Sequence, residues 1–337
     1  MTTLRDVAQA AGVSTMTVSN VVNGRLGKVS PATVTRVQAI VADLGYVPNA
    51  SARALSGRAS GIVALVYPDV DPSQPALANP HDAVFVGEVQ RHVAAAGRYL
   101  MIHAARDVAR TAADLRTWDV DGAIFLGTFG SEVDGLRERS RVPMVFVDNY
   151  SASGRVGTVR IDDERGGRLA AARLAAAGHT KVAFAGPAAA EEGVVRRRLD
   201  GLTAALRGAG LDLDPSLVLT CGTSFDAGRD LAATLVEHPA RPTAVLATSD
   251  VVALGLLQGL ADCGRRVPDD MSVVGFDDLP EGQRTTPPLT TVRQDVPAKA
   301  RASVDLLLGE MTSDDGAARQ VVLDVELVDR GSVGPRP

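Results

Sequence analysis

Short runs of Val, Ile and Leu alternate with Ala-rich stretches of helical periodicity over most of the chain, and this alternation constrains the fold more than any other feature. Buried strands that alternate with helices form βαβ units and parallel sheets. The candidate strands are Ile62–Tyr67, Leu100–His103, Gly122–Leu126, Met144–Val147, Val182–Phe184, Ala244–Ala247 and Ser272–Gly275. The candidate helices cover residues 84–96, 163–177, 193–209, 226–238, 250–263 and 296–309. Because the 277 residues after position 60 exceed one sheet domain, we expect two lobes there.

The first 60 residues have a different pattern, which predicts three short helices. Thr3 is placed to cap a first helix that Gly12 ends, and Ser14 to cap a second helix of about residues 15–23. Ser30 followed by Pro31 begins a third helix. Three short helices with a Gly-containing turn between the first two are typical of a helix-turn-helix unit.

The second helix of such a unit enters the DNA major groove with its N-terminus first. Thr15, Met16 and Asn20 are therefore the candidates for contacts with base edges. Thr17 and Ser19 are candidates for phosphate contacts. Asn23 also lies on the polar face of this helix. The same pattern is compatible with a small helical bundle that has an ordinary polar face.

Charge is distributed unevenly along the chain, which has a net charge of −5. Residues 1–60 contain six Lys or Arg and two Asp, whereas the other residues contain 29 basic and 38 acidic side chains. A basic N-terminal segment joined to a larger acidic body is typical of a polyanion-binding module attached to another domain.

The segment after the third helix favours DNA binding over the bundle interpretation. Asn49 is placed to cap a single helical turn that ends near Gly57, and so short a helix is marginal in water. Leu55 on this turn has no obvious core to join. A helix that forms only on DNA, with Leu55 inserted as a wedge, accounts for both features. Ala52 and Arg53 on the same turn are further candidate DNA contacts.

Two long segments resemble the DNA-binding region of the LacI/GalR family of bacterial transcriptional regulators. They read TLRDVAQAAGVSTMTVSNVVNG (3–24) and VSPATVTRVQAIVADLGYVPNASARAL (29–55). The body resembles the family as well, in motifs such as GIVALVYPD (61–69), VDGAIFLG (120–127), GHTKVAFAGP (178–187) and RVPDDMSVVGFDD (266–278). The resemblance implies an all-α helix-turn-helix head and an α/β, two-lobed, periplasmic-binding-protein-like body with parallel sheets.

The resemblance also implies a domain division and a mechanism. We expect a DNA-binding domain at 1–47, a hinge at 48–60 and an effector-binding and dimerisation domain at 61–337. We expect the first lobe at about 61–160 and 290–320, and the second at about 161–289 and 321–333. A homodimer is then expected to repress transcription from a pseudo-palindromic double-stranded operator, with Leu55 of both subunits in the minor groove. The terminal GSVGPRP lacks a leucine-heptad tail, which favours a dimer over a tetramer.

The resemblance assigns candidate effector contacts to an interlobe cleft. The positions that match effector-contacting positions of the family are Arg198, Asp277, Asp148 and Asp250, and His81 and Phe129 follow strands that are expected to border the cleft. An Arg presents a rigid fork of donors and Asp accepts from hydroxyls, so this set suits a sugar-like effector.

Each candidate also has a structural interpretation. Asp148 and Asp250 could equally cap the helices that follow them. Arg198 lies in a run of three Arg that could form a solvated face, and His81 could be an ordinary loop residue. The acidic run at 162–164 is best interpreted as carboxylates at the positive end of a helix dipole. Control by a protein partner or a purine-like corepressor, in place of a sugar, stays open.

Several classes of protein are disfavoured by the sequence. No apolar run reaches the about 20 residues of a membrane span, and the N-terminus does not have the pattern of a secretory signal. Two cysteines, Cys221 and Cys263, cannot form a disulfide framework or a zinc site, so we expect a cytoplasmic protein without a metal or cofactor. The chain contains no phosphate loop or nucleophile elbow, so we expect a regulator and not an enzyme. A small-molecule receptor and an enzyme remain the rival classes.

Overall fold

The chain forms two compact units, residues 1–60 and residues 61–337, in a computed structural model. The structure describes residues 2–22, 24–46, 59–68, 77–127, 133, 136, 140–150, 156–190, 192–312 and 319–337. The first unit is called the head below, and the second is called the body.

The head contains helices α1 (Leu4–Ala11), α2 (Thr15–Val22) and α3 (Pro31–Asp43). Thr3 and Asp6 form a capping box at the start of α1, in which the Asp6 amide donates to Thr3 Oγ1 at 3.3 Å and the Thr3 amide donates to Asp6 Oδ2 at 2.7 Å. The side chains buried between the three helices are those of Val7, Ala8, Ala11, Val18, Val21, Val37 and Tyr46. These helices agree with the sequence prediction because their caps and apolar spacing are local features.

The body contains two six-stranded sheets with helices packed against them. Its strands are β1 (Ile62–Pro68), β2 (Tyr99–Ala105), β3 (Gly122–Leu126), β4 (Met144–Val147), β5 (Gly157–Ile161), β6 (Val182–Gly186), β7 (Val218–Thr220), β8 (Ala244–Ala247), β9 (Ser272–Asp277), β10 (Thr290–Gln294), β11 (Gln320–Leu323) and β12 (Val325–Val328). Its helices are α4 (Pro80–Ala95), α5 (Val108–Thr117), α6 (Asp163–Ala176), α7 (Val194–Gly208), α8 (Phe225–Glu237), α9 (Asp250–Asp262) and α10 (Val296–Thr312).

The two sheets have corresponding strand orders. The first sheet runs β11-β5-β4-β3-β1-β2 and is parallel throughout. The second runs β12-β10-β9-β8-β6-β7 and is parallel except for the antiparallel pair of β10 and β12. We call the first sheet with α4, α5 and α10 the first lobe, and the second sheet with α6 to α9 the second lobe. The predicted α/β fold class with two lobes and parallel sheets is confirmed.

The chain passes between the lobes at slightly different positions from those expected. The strand β10 pairs with β9, so residues 290–294 lie in the second lobe and not in the first. The strand β11 pairs with β5, so residues 320–323 lie in the first lobe. Between these two strands, α10 packs on the first lobe, where Ala300 and Leu307 join its core. The strand pairing thus shows that the chain passes from one lobe to the other close to Asp162, Asp295 and Asp324.

Every strand that the apolar runs predict is present, but β5, β7, β10, β11 and β12 were not predicted. The strand β10 shows why, because its sequence TTVRQ contains buried Thr290 and Thr291 where an apolar run would be expected. The helix α5 was also missed, since VARTAADLRT has few large apolar side chains. The strands β7, β11 and β12 do contain apolar residues, but they are only three or four residues long, and pairing with distant strands defines them.

Candidate functional site

The N-terminal end of α2 presents two exposed side chains in the head. Thr15 is exposed and Met16 is 69% exposed, whereas Val18 one turn away is fully buried. Ser14 caps the helix, accepting from the Thr17 amide at 3.1 Å, and the hydroxyls of Ser14 and Thr17 are 2.9 Å apart. The cap therefore fixes the end of α2 at which Thr15 and Met16 face solvent.

The other predicted DNA contacts divide into two groups. Thr17, Ser19 and Asn20 are half-buried on α2. The candidates Asn23, Asn49, Ala52, Arg53 and Leu55, and the candidate effector contact Phe129, lie outside the described residues. Their assignments stay predictions from the sequence.

Two predicted effector residues of the body lie at the carboxyl ends of corresponding strands. Asp148 directly follows β4 and Asp277 ends β9, and both strands are third in their sheets. Both residues have a positive φ, 55° for Asp148 and 127° for Asp277, which is unusual for a residue with a side chain. Ligands of parallel α/β sheets bind beyond such strand ends.

A buried lysine that the sequence analysis did not identify connects these two strand ends. Lys299 on α10 is 1% exposed, and its Nζ lies 2.8 Å from Asp148 Oδ2, 2.8 Å from Gln294 Oε1 and 3.2 Å from His81 Nε2. Gln294 Nε2 in turn donates to Asp277 Oδ1 at 2.6 Å. We call Asp148, Lys299, Gln294 and Asp277 the interlobe bridge, because the first two belong to the first lobe and the last two to the second.

His81 lies within this cluster and not in a loop. It is the second residue of α4, is 7% exposed, and its Nδ1 lies 2.9 Å from Asp82 Oδ1. The interpretation of His81 as an ordinary loop residue is therefore wrong, because His81 is helical and its Nε2 lies 3.2 Å from Lys299 Nζ on α10.

Arg198 forms a second buried cluster on the second lobe. Its Nε donates to Asp163 Oδ1 at 2.7 Å, its Nη1 donates to the Thr248 carbonyl, and its guanidinium lies 3.5 Å from the centroid of the Phe276 ring. The Tyr150 hydroxyl donates to the other carboxylate oxygen of Asp163. Arg198 is therefore not part of a solvated face.

Burial and neighbouring charges together shift the pKa values of the groups in this cluster. Burial raises the pKa of Asp163, and the positive charge of Arg198 opposes that shift. Burial alone would lower the pKa of Arg198, but the negative charges of Asp163 and Asp277 raise it overall. Burial and the neighbouring Asp163 charge also raise the pKa of Tyr150. The acidic run lies at the N-terminus of α6 as the sequence predicts. Asp162 caps the helix by accepting from the Arg165 amide at 2.9 Å, and Asp163 and Glu164 lie in the first turn. Asp163 is in addition buried, with Arg198 as its partner.

Two glycines place Arg198 beside Asp163. A Cβ on Gly167 of α6 would overlap the carbonyl oxygen of Arg198, and a Cβ on Gly201 of α7 would overlap that of Glu164. The absence of side chains at these two positions lets the helices approach closely enough for the ion pair to form.

Asp250, which the sequence predicts as an effector contact, makes two hydrogen bonds within the second lobe. It is fully buried, with Oδ2 accepting from the Leu279 amide at 2.7 Å and Oδ1 from the Thr291 hydroxyl at 2.6 Å. Ser249, and not Asp250, caps α9. Burial, followed by the charge of Asp277, raises the pKa of Asp250 to about 7. Through these two contacts Asp250 anchors the loop after β9, and its role as an effector contact stays a prediction.

Two buried polar atoms of the site have no hydrogen-bond partner within the described part of the chain. They are Asp148 Oδ1 in the first lobe and Thr248 Oγ1 in the second. Within the same residues, no group of three or more His, Cys, Asp or Glu could hold a metal ion. No helix among them is long and apolar enough to span a membrane.

Comparisons with known proteins match both units of the chain. Residues 3–49 match the family described as bacterial regulatory proteins, lacI family, and residues 171–333 match the periplasmic binding protein-like domain. The ribose operon repressor of Escherichia coli (strain K12) is 32% identical over 98% of this chain and 100% of its own length.

Solved structures agree with these matches. The lac repressor dimer bound to operator and the anti-inducer ONPF has a TM-score of 0.86 and 28% identity, covering 99% of each chain. The complex of the transcriptional regulator CelR with cellobiose has a TM-score of 0.73 and 32% identity, covering 98% of this chain and 100% of that one.

Proposed function

The chain belongs to the lacI family of bacterial regulatory proteins, and from this premise we propose that it is a transcriptional repressor that binds a pseudo-palindromic operator as a dimer and responds to a small polyhydroxylated effector. Residues 1–47 serve as the DNA-binding domain, 48–60 as the hinge and 61–337 as the effector and dimerisation domain. Because its target is genomic DNA, the protein acts in the cytoplasm.

The exposed N-terminal end of α2 carries the DNA-binding part of this proposal. The methyl groups of Thr15 and Met16 suit contacts with thymine methyls, and the Asn20 amide suits a bidentate pair with adenine. Two heads related by a dimer axis read two half-sites, which is why the operator is pseudo-palindromic. Leu55 from each hinge enters the minor groove between them, where a flexible pyrimidine–purine step costs least to kink.

The side chains at the strand ends support the proposal that the body binds a polyhydroxylated effector. Arg198 uses two of its five N–H donors in the bonds to Asp163 and the Thr248 carbonyl, which leaves donors for ligand oxygens. Asp148 Oδ1 supplies a buried acceptor. A relative of known structure binds cellobiose, and its fold is similar over the whole chain. These groups suit hydroxyl-rich molecules.

Effector binding and DNA binding are coupled through the lobes. Residues of both lobes contact each other in the interlobe bridge, so a ligand that prefers one lobe arrangement shifts the population of that arrangement. The lobe arrangement sets the spacing of the two hinges and hence their ability to form helices on DNA. We expect the site to bind its ligand without transforming it, as the membership of the lacI family of regulatory proteins suggests.

Selection from genomic DNA tests the repressor function. The purified full chain is mixed with fragmented DNA of its source, and the retained fragments are sequenced. An inverted repeat shared by the retained fragments is the expected result. Retention without a common sequence, lost as the salt concentration rises and seen both without and with a bound effector, would reflect phosphate attraction alone and would refute the proposal.

A further inference from the structure

Lys299 is an unusual residue for this chain, because 32 of the 35 basic residues are Arg and only three are Lys. Lys28 and Lys181 are the other two, and Lys181 is exposed. A buried ammonium is costly unless its donors are all satisfied and its charge is paired. Asp148 Oδ2, Gln294 Oε1 and His81 Nε2 provide three acceptors for the three N–H donors of Lys299.

The contacts of Lys299 determine how its neighbours are oriented. An ammonium has no acceptor, so it requires the oxygen of the Gln294 amide and turns the amide nitrogen toward Asp277. It also requires an unprotonated His81 Nε2, which leaves Nδ1–H to donate to Asp82. Finally, it holds the Oδ2 atom of Asp148, so the unpartnered atom of this carboxylate is Oδ1.

The charge balance of the site limits the ligands that it can accept. Among the described residues of the body, the buried Arg and Lys are Arg198 and Lys299, whereas the buried acids are Asp163, Asp250 and Asp277. Asp148, which is nearly buried, adds a fourth acid. Asp250, whose pKa burial raises to about 7, contributes only part of a negative charge near neutral pH. Electrostatic interactions are weakly screened in such surroundings, so an anionic group placed against Asp148 is repelled. The ammonium of Lys299 has no donor left to bind that group.

We propose that Lys299 is a positioning residue that holds Asp148 as an acceptor, so that the effector is a neutral or amine-bearing molecule that donates a hydrogen bond to Asp148 Oδ1. This inference rests on the proposed function, and it narrows the effector class by excluding molecules that place a phosphate or carboxylate there.

Binding of four sets of compounds to the full chain tests this inference. The sets are neutral sugars and polyols including ribose and cellobiose, amino sugars, sugar phosphates, and sugar acids, screened by thermal shift and quantified by titration calorimetry. We expect the best ligand to come from the first two sets. A phosphate or acid ligand whose affinity rises in Asp148→Asn would have its anionic group against Asp148, and this result would overturn the inference.

Variants then test the role of Lys299 with the ligand so found. Lys299→Arg keeps the charge but spreads the donors over a planar fork, so three acceptors that converge on one atom are no longer satisfied. We expect about tenfold weaker binding from this change and from Asp148→Asn, as one hydrogen bond in a buried site is lost. The double variant should bind about as weakly as either single variant, because both act on the same acceptor. Lys181→Arg is the matched control and should leave affinity unchanged.

Other outcomes separate this inference from the repressor function. Unchanged affinity of Lys299→Arg, or additive losses in the double variant, would show that Lys299 has only a structural role. If genomic selection finds an operator but no neutral or amine-bearing compound binds, the inference fails and the DNA-binding function stands. If the selection finds no operator, the proposed function fails whatever the compounds do.

Discussion

Asp148 and Asp277 occupy equivalent places in the two lobes, each at the carboxyl end of the third strand of its sheet and each with a positive φ. Lys299 binds the carboxylate of Asp148, and Gln294 binds the carboxylate of Asp277. Lys299 Nζ also donates to Gln294 Oε1 at 2.8 Å. The two carboxylates are thus joined across the lobes through two side chains. Any change in the lobe arrangement must bend or break this bridge, which makes it sensitive to a ligand bound beside it.

Met16→Ala is expected to weaken operator binding without affecting the stability of the head. Met16 is 69% exposed, so its removal should change the free energy of unfolding by less than about 0.5 kcal/mol. Loss of an apolar contact with a base should cost about 1 kcal/mol of operator affinity, measured by fluorescence anisotropy. Val18→Ala is the control, since it removes a buried group and should destabilise the head by roughly 1–3 kcal/mol.

Leu55→Ala is expected to weaken binding to the operator much more than binding to a scrambled duplex. A wedge between base steps acts only when the hinge helix forms on its specific site, whereas attraction to phosphates does not depend on it. Anisotropy titrations with both duplexes at one salt concentration measure the two losses. Equal losses on the two duplexes would contradict the wedge role.

Asp163→Ala is expected to destabilise the body by about 3–5 kcal/mol, because it leaves the guanidinium of Arg198 buried without its carboxylate. Urea denaturation measures the effect. Glu164→Ala is the control at the next position, where the ion pair with Arg168 is exposed and worth about 0–1 kcal/mol. Similar losses in both variants would show that the buried pair has no special importance for stability.

Gly167→Ala is expected to separate α6 from α7. The added Cβ would overlap the carbonyl oxygen of Arg198, so the helices must move apart at a cost of roughly 1–3 kcal/mol. Effector affinity should fall as well, since Arg198 moves with its helix. Gly208→Ala on α7 has open space around the added group, and it should be neutral or slightly stabilising in the same denaturation experiment.

Asp250→Asn is expected to change how stability depends on pH. The pKa of Asp250 is raised to about 7, so the folded state holds this proton at pH values where the unfolded chain has released it. The stabilisation from this group is complete below about pH 4 and is lost as the pH rises through about 7. Asn cannot titrate, so the variant should gain stability relative to the original chain between pH 5 and pH 8, on the order of 2 kcal/mol.

Denaturation at pH 5, 6.5 and 8 measures the difference in the free energy of unfolding between Asp250→Asn and the original chain. The amide can retain both contacts, accepting from the Leu279 amide and donating to the Thr291 hydroxyl. Asp212→Asn, at an exposed position, controls for the loss of one negative charge. A constant difference between variant and original chain across this pH range would contradict the predicted titration.

The sequence by itself determined the elements whose signals are local. The caps Thr3, Ser14 and Ser30 and the spacing of apolar residues define the head helices. Continuous Val, Ile and Leu runs define the central strands, among which β3, β4 and β8 have the predicted bounds. The choice of Arg198, Asp148 and Asp277 as candidate effector contacts came from the family resemblance. That resemblance also depends on motifs that are contiguous in the chain.

Only the tertiary structure decided which charged residues are buried and what they contact. Lys299 meets Asp148 and His81 across 151 and 218 positions of the chain, and Asp163 meets Arg198 across 35. No periodicity distinguishes Asp163, which is buried, from Asp162, which caps a helix. The reason is physical: a cap depends on the next three residues, but the burial of a charge depends on whether distant strands and helices bring an opposite charge to it.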